Sequence, residues 1–424
     1  MKKPNALRFS MGVITSIAAS ACDVDDTDLV TTGVILGEAP ATSARGFAVV
    51  SSDYESYNVS LLSLAGEVQS ESVISSGSAS AGLSAPLTDV VMPSTAVPGP
   101  ELVVINRSPA AFITWLDLET TAVRAQLNVG TGFEANPYDY VPLAADKAYV
   151  TRHAPNFASG REDFDSGNDL LVVDPSQPAI TGRVDLMPVL EGEAPGFFPR
   201  AGRAIVAGGQ LRLLALGLDE NYLELVDSRI VSIDPETDEI TQVLVLEGLS
   251  NCQNLALSPD GKELAVGCSG PFGADPQGGF PSAGIVLLEV GAELSEVRRY
   301  GTGELGGAPI NAVAYASVGS LAFTTYGRFN ADFSAMEVPD SARRLDLTLG
   351  ELDGGPLRES SLEPFTLGDI RCARGAGVCL LADAETEGGV LHRFDVDAAG
   401  ALVNGTLVEI ERGIGLPPRY IETY

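Results

Sequence analysis

Residues 251–268 read NCQNLALSPDGKELAVGC. Leu255-Ala256-Leu257 and Glu263-Leu264-Ala265-Val266 are short and mostly apolar, with Ser258-Pro259-Asp260-Gly261-Lys262 between them. Pro259 fixes its φ, Asp260 bonds its own backbone, and Gly261 takes the left-handed conformation that closes the turn with a bulge. The spacing predicts a tight β-hairpin in which Ser258 faces Lys262 and, counting outward, Cys252 faces Cys268. Cysteines opposed in that way lie within disulfide reach. Both strands are apolar on both faces, so the hairpin is expected between two neighbours rather than at a solvated surface.

Loosely similar units recur at intervals of about 46 to 63 residues along the chain. Each has an inner hairpin, whose second strand is expected at residues 46–51, 101–106, 148–153, 210–215, 263–268, 320–325 and 378–383. Each also has an outer strand pair, at residues 59–68, 112–127, 170–186, 229–246, 284–300, 343–362 and 390–410. Turn chemistry marks the outer pairs, as in VVDPSQPAITGRV and VSIDPETDEITQV. The first hairpin lacks a first strand before Gly46, whereas residues 413–424 (GIGLPPRYIETY) supply a spare one. Pairing of that segment beside residues 46–51 would close a ring and remove its open edge. The expected fold is therefore all-β, a seven-bladed β-propeller of four-stranded blades closed by the C-terminal strand in the N-terminal blade. A β-solenoid or two sandwiches would leave the spare strand unexplained.

Composition agrees. The 424 residues include 46 Gly and 26 Pro but only two His and one Trp. The formal net charge of −31 repels phosphate backbones, so the chain is expected to bind no nucleic acid.

Lys2, Lys3 and Arg8 precede a mainly apolar stretch at residues 9–21, too short for a membrane span and suited to a signal peptide. Ala19-Ser20-Ala21-Cys22 fits both an ordinary A-x-A cleavage site and a bacterial lipoprotein signal. We favour the second, because the first leaves an exported protein with an unpaired thiol at its end. The expected layout is a signal peptide at 1–21, a tether at 22–32 lipid-anchored to a membrane through Cys22, and one propeller at 33–424. The expected location is the bacterial cell envelope. Cys372 and Cys379 bracket Ala-Arg-Gly-Ala-Gly-Val and are expected to pair across a two-residue turn at Gly375-Ala376, as Cys252 does with Cys268. Zinc-like C-x2-4-C spacing is absent, and disulfides agree with export.

Asn136-Pro137-Tyr138-Asp139 with Lys147-Ala148-Tyr149-Val150-Thr151 resembles the N-P-x-D…K-A-Y-V-T-N repeat of the bacterial YVTN-type propellers, and Ser258–Lys262 resembles their S-P-D-G-K turn. Arg152 stands where that family has Asn, and two blades carry the match. The resemblance implies the fold; related propellers include lactone hydrolases, quinone-cofactor enzymes and many exported proteins, so it implies little chemistry.

Connections from second to third strand are long in four consecutive units, at residues 154–168, 217–228, 269–283 and 326–342. Propeller geometry puts these on one face, opposite the S-P-D-G-K turn, and long loops on a rigid scaffold concentrate binding residues. The candidate binding face for a small ligand or an envelope protein comprises Arg152, His153, Phe157, Asp163, Asp165, Tyr222, Phe272, Phe280, Tyr326, Arg328 and Phe329, with Phe333 beside them. His153 and Arg152 with the Asp163/Asp165 pair also form the only catalytic set worth weighing, as a lactonase-like hydrolase. Asp163-x-Asp165-x-Gly167 departs from the calcium-loop pattern and lacks its closing Glu. Neither G-x-S-x-G, P-loop nor dinucleotide fingerprint stands in its required context, and two histidines exclude a multi-His metal centre. The sequence implies no cofactor and favours a non-catalytic binding module.

Overall fold

The computed structural model describes residues 44–271, 280–330, 332–385, 388–410 and 415–424. Expectations for the signal peptide, tether and Cys22, and for Phe272, fall outside them. Antiparallel four-stranded sheets succeed one another along the chain as seven blades. Their second strands are Gly46–Ser52, Glu101–Asn106, Lys147–Arg152, Gln210–Asp219, Glu263–Cys268, Ser320–Thr325 and Val378–Asp383, within a few residues of expectation. Among the described residues the helical segments are two short 3-10 turns, Met187–Leu190 and Thr302–Glu304.

Why both faces of each inner strand are apolar is now evident. Alternate side chains serve different neighbours: Leu102 and Val104 pack towards blade one, Val103 and Ile105 towards blade three. Likewise Leu213 packs towards blade three and Leu214 towards blade five. Every interface between adjacent blades holds its own apolar cluster of this kind. The period-two pattern of a strand thus becomes the radial packing of a ring.

The ring closes where the spare strand was expected to close it. Pro418–Thr423 is the innermost strand of blade one and runs antiparallel to Gly46–Ser52, with Val49 opposite Ile421. Blade two has the shortest inner strand, Val90–Val91, which Pro93 ends. In blade six the fourth strand is split into Glu351–Leu352 and Arg358–Glu359, interrupted by Gly354-Gly355-Pro356, and both pieces pair with Ser341–Asp346.

Three local readings need correction. In the hairpin at residues 252–268, Leu257 faces Leu264 and the Ser258 N–H bonds the Glu263 carbonyl (2.8 Å), one residue beyond the expected register. A bulge at Gln253 takes up the difference, so Cys252 still faces Cys268 and the two are bridged. Cys372 and Cys379 are also bridged, but their strands stop at Ala373 and Val378. The turn bond there runs from Ala376 N–H to the Ala373 carbonyl (3.0 Å), centred on Arg374-Gly375, and Gly377 at φ 66° absorbs the extra residue. Finally, residues 217–228 are mostly not a loop. The strands Gln210–Asp219 and Leu225–Ile233 extend the ladder outward and leave only a short turn, whose N–H groups at Asn221, Leu223 and Glu224 bond the Asp219 carboxylate.

Candidate functional site

Innermost strands present one edge to the ring axis, and in this chain that edge is charged. Arg203 of blade four reaches across the axis to Glu422 of blade one (3.4 Å), where Arg371 of blade seven also binds (2.5 Å). Asp139 of blade three accepts the backbone N–H groups of Ser94, Tyr140 and Ala204, each at 2.9 Å, tying blades two, three and four together. Asn311 Nδ2 donates to the carbonyls of Leu367 and Gly368 (3.3 Å each), joining blades six and seven. Below this belt, on the S-P-D-G-K side, Arg374 of blade seven bonds the Pro259 carbonyl of blade five (3.0 and 3.2 Å).

Above the belt, on the long-loop side, aromatic rings take over. Tyr138 Oη donates to Gln253 Oε1 (3.1 Å), and the Tyr138 ring stacks on His153 with centroids 5.2 Å apart. His153 in turn stacks towards Tyr222 (6.4 Å), and the Arg200 guanidinium lies 3.8 Å over that Tyr222 ring while donating to its hydroxyl (2.8 Å). Arg107, bound to Asp89 (2.6 Å), lies over both Tyr138 and Tyr420. Burial pushes the Tyr420 phenol up to about 12 and raises that of Tyr326 as well.

Burial also sets the protonation of the axis. It raises Glu422 to about 7 although Arg371 and Arg203 act against it, and it raises Asp369. It lowers His153 to about 3, helped by the nearby Arg200 charge. The imidazole is therefore neutral throughout the physiological range, and its Nδ1 is buried with no partner among the described residues.

The expected site residues separate into two groups. Arg152 does not face the mouth. Its guanidinium is fully buried, with Nε and Nη2 on the Asp169 carboxylate (2.7 and 2.6 Å) and further bonds to Thr131 and the Phe164 carbonyl. Asp165 is spent within its own loop, accepting N–H groups from Gly160, Arg161 and Glu162 that hold its pKa down, while Asp163 is exposed. Arg152, His153 and the two carboxylates thus form no catalytic constellation. Among the described residues no group of three or more His, Cys, Asp or Glu is placed to hold a metal.

The other group is brought together. Arg328–Phe329 pairs with Met336–Val338 as a small hairpin, anchored by the Arg328–Glu337 ion pair (3.1 Å). Asp340 fixes its base: its buried carboxylate accepts the N–H groups of Gly327, Phe365, Thr366 and Leu367. Between this hairpin and blade five lies an apolar pocket of about 150 Å³ whose walls include Phe280, Tyr326 and Arg328. Phe329, Phe333 and Phe365 continue it outward as an aromatic cluster with centroids 6.1 and 6.4 Å apart. Phe333 is 78 % exposed and Phe365 51 %. On the same face Phe157 (58 %) meets Phe198 edge-on.

No family model and no curated protein sequence matches the chain. Among solved structures it is similar to a Bacteroides fragilis protein provisionally described as a 6-phosphogluconolactonase (12% identity; 91% of this chain and 99% of that one; TM-score 0.53). It is also similar to the β-propeller domain of Cps50 (Swd1) from Myceliophteria thermophila (15%; 85% and 96%; 0.53) and to a protein from Lactobacillus plantarum (12%; 90% and 99%; 0.51). These likenesses show the fold alone.

Sequence reasoning missed the axial set of Asp139, Arg203, Asp369, Arg371 and Glu422, and also Phe365. A usable signal was present: charged residues recur inside strands that precede an inner turn, although both faces of those strands are packed against neighbouring blades.

Proposed function

We propose that the protein is an exported propeller, lipid-anchored at Cys22, that acts as a non-catalytic binding module in the bacterial envelope and takes its ligand or partner on the long-loop face. The observation that carries this is the set of exposed rings on that one face, at Phe157, Tyr222, Phe333 and Phe365, the last of which lines an apolar pocket. Such patches on an otherwise strongly charged surface mark interaction sites. The two disulfides are compatible with export, and among the described residues no helix is long and apolar enough to cross a membrane. Kinship with the YVTN-type propellers belongs to the same reading and rests on Asn136–Asp139, Lys147–Thr151 and the Ser258–Lys262 turn.

A hydrolase of the lactonase kind has less support. A general base works best with a pKa near the operating pH, and His153 at about 3 with a buried Nδ1 is far from that. Turnover of a lactone panel that is lost in His153→Ala would favour it nonetheless.

The test is site-specific photo-crosslinking in the protein's own cells, with the crosslinker at Phe333 or, on the opposite face, at Lys262. A discrete product from position 333 and none from position 262 is expected. Equal products from both positions, or none from 333, would overturn the proposal.

A further inference from the structure

The pocket beside Tyr326 is the most specific feature of the long-loop face, and its size limits what enters it. A dry cavity of about 150 Å³ accommodates a benzene-sized body and little more. The pocket between blades five and six has that volume, with walls from Pro271, Phe280, Ala308, Tyr326, Val338 and Phe365. It fits one aromatic or large aliphatic side chain. Outside it, next to Phe329 in the aromatic cluster, Phe333 is 78 % exposed and offers surface that a larger partner would cover. A single buried anchor ringed by partly covered apolar contacts is the anatomy of a protein-recognition hot spot.

Charge supplies the second constraint. The segments that carry these rings, residues 326–340 and 360–366, hold Asp332, Glu337, Asp340 and Glu363 against one cation, Arg328, which Glu337 already pairs. Asp340 is committed to the backbone below, Glu337 to Arg328, and Arg419 from outside these segments donates to the Phe365 carbonyl (3.2 Å), which leaves Asp332 and Glu363 on the ring-bearing segments without an ion-pair partner among the described residues. The chain as a whole carries −31. An acidic partner would be repelled from these two carboxylates, and a basic one drawn to them.

We propose that the pocket receives one aromatic or large aliphatic side chain of an extended, lysine- or arginine-flanked segment of another protein. This rests on the binding-module reading and names its partner class. The flanking cations face Asp332 and Glu363, and the anchor displaces water from Tyr326, Phe280 and Ala308.

The test uses a labelled peptide, acetyl-Gly-Lys-Phe-Lys-Gly-amide, titrated against the purified protein at physiological salt and followed by fluorescence anisotropy. Saturable binding is expected. It should weaken about tenfold when the peptide Phe is replaced by Ser, when Ala308→Phe fills the pocket, and when Phe365→Ser removes one wall. Ala308 is buried and Phe365 is half exposed, so the second variant remains informative if the first fails to fold. Replacing both peptide lysines by glutamate should abolish binding. Equal affinity across the protein variants would show charge attraction without a pocket and overturn the proposal, as would no binding by the parent. Self-association of the protein through Phe333, seen by sedimentation, would overturn it too. If the peptide fails while crosslinks from position 333 persist, the binding face stands and this partner class falls. If both fail, both readings fall.

Discussion

Val49, near the start of the described chain, lies opposite Ile421, near its end, in one antiparallel ladder. The ring is therefore held shut by backbone bonds between its first and last described strands. Ile421 is fully buried in the cluster between blades seven and one. Ile421→Ala should cost about 2–5 kcal/mol in denaturant unfolding. Val243→Ala, in an outer strand at 39 % exposure, should stay within about 0.5 kcal/mol.

Arg152 gives a sharper contrast between a structural and a functional role. It is buried on Asp169 and on loop carbonyls, so Arg152→Met leaves a buried carboxylate with only Arg183 (3.2 Å) as cationic partner. The expected loss is about 3 kcal/mol of stability. Peptide or partner affinity should be unchanged once the variant is folded, and both are read by paired denaturation and binding curves.

The disulfides close loops of different length, with sequence separations of 16 and 7. On the chain-entropy account the longer contributes about 3 kcal/mol and the shorter somewhat less. Cys252→Ser with Cys268→Ser should therefore lower stability more than the matching pair at Cys372 and Cys379. Protein taken from its own cells and unfolded without reductant should show none of these four thiols free.

Glu422 makes stability depend on pH. Its folded pKa of about 7 lies above the ordinary 4.5, so between those values the folded state holds the proton more tightly than the unfolded chain. Its contribution is complete below 4.5 and is lost as pH rises through 7. Glu422→Gln should remove that slope: relative to the parent, the variant should gain stability from pH 5 to pH 8. The groups facing it are Arg203, Arg371, Asp369 and Asp139. A parent–variant difference that is flat with pH would contradict the assignment.

The blades were legible because their physics is local. In strands like ELAVGC (residues 263–268) both faces carry apolar side chains, and Pro-Asp-Gly names its turn. The spare strand at Pro418–Thr423 could be placed because an unpaired strand and a missing partner occurred in one chain. What escaped was set by longer reach. The bulge at Gln253 moves the register by one without changing which cysteines meet, so the cysteine pairing concealed it. Continuation of Gln210–Asp219 past Ala215 depends on Arg200 bonding the Asp219 carbonyl and the Tyr222 hydroxyl, contacts between residues about twenty positions apart. Arg152 looked like a mouth residue because it ends an inner strand, yet its partners Asp169 and Phe164 lie across a loop whose path the sequence does not announce. The Arg203–Glu422 contact crosses the whole ring and leaves no local trace.

The most direct measurement is native mass spectrometry of the protein gently extracted from its own cells, run on the parent and on Phe365→Ser. The account predicts a bound protein or ligand on the parent that is missing from the variant. A bare chain in both, or the same bound mass on both, would contradict it.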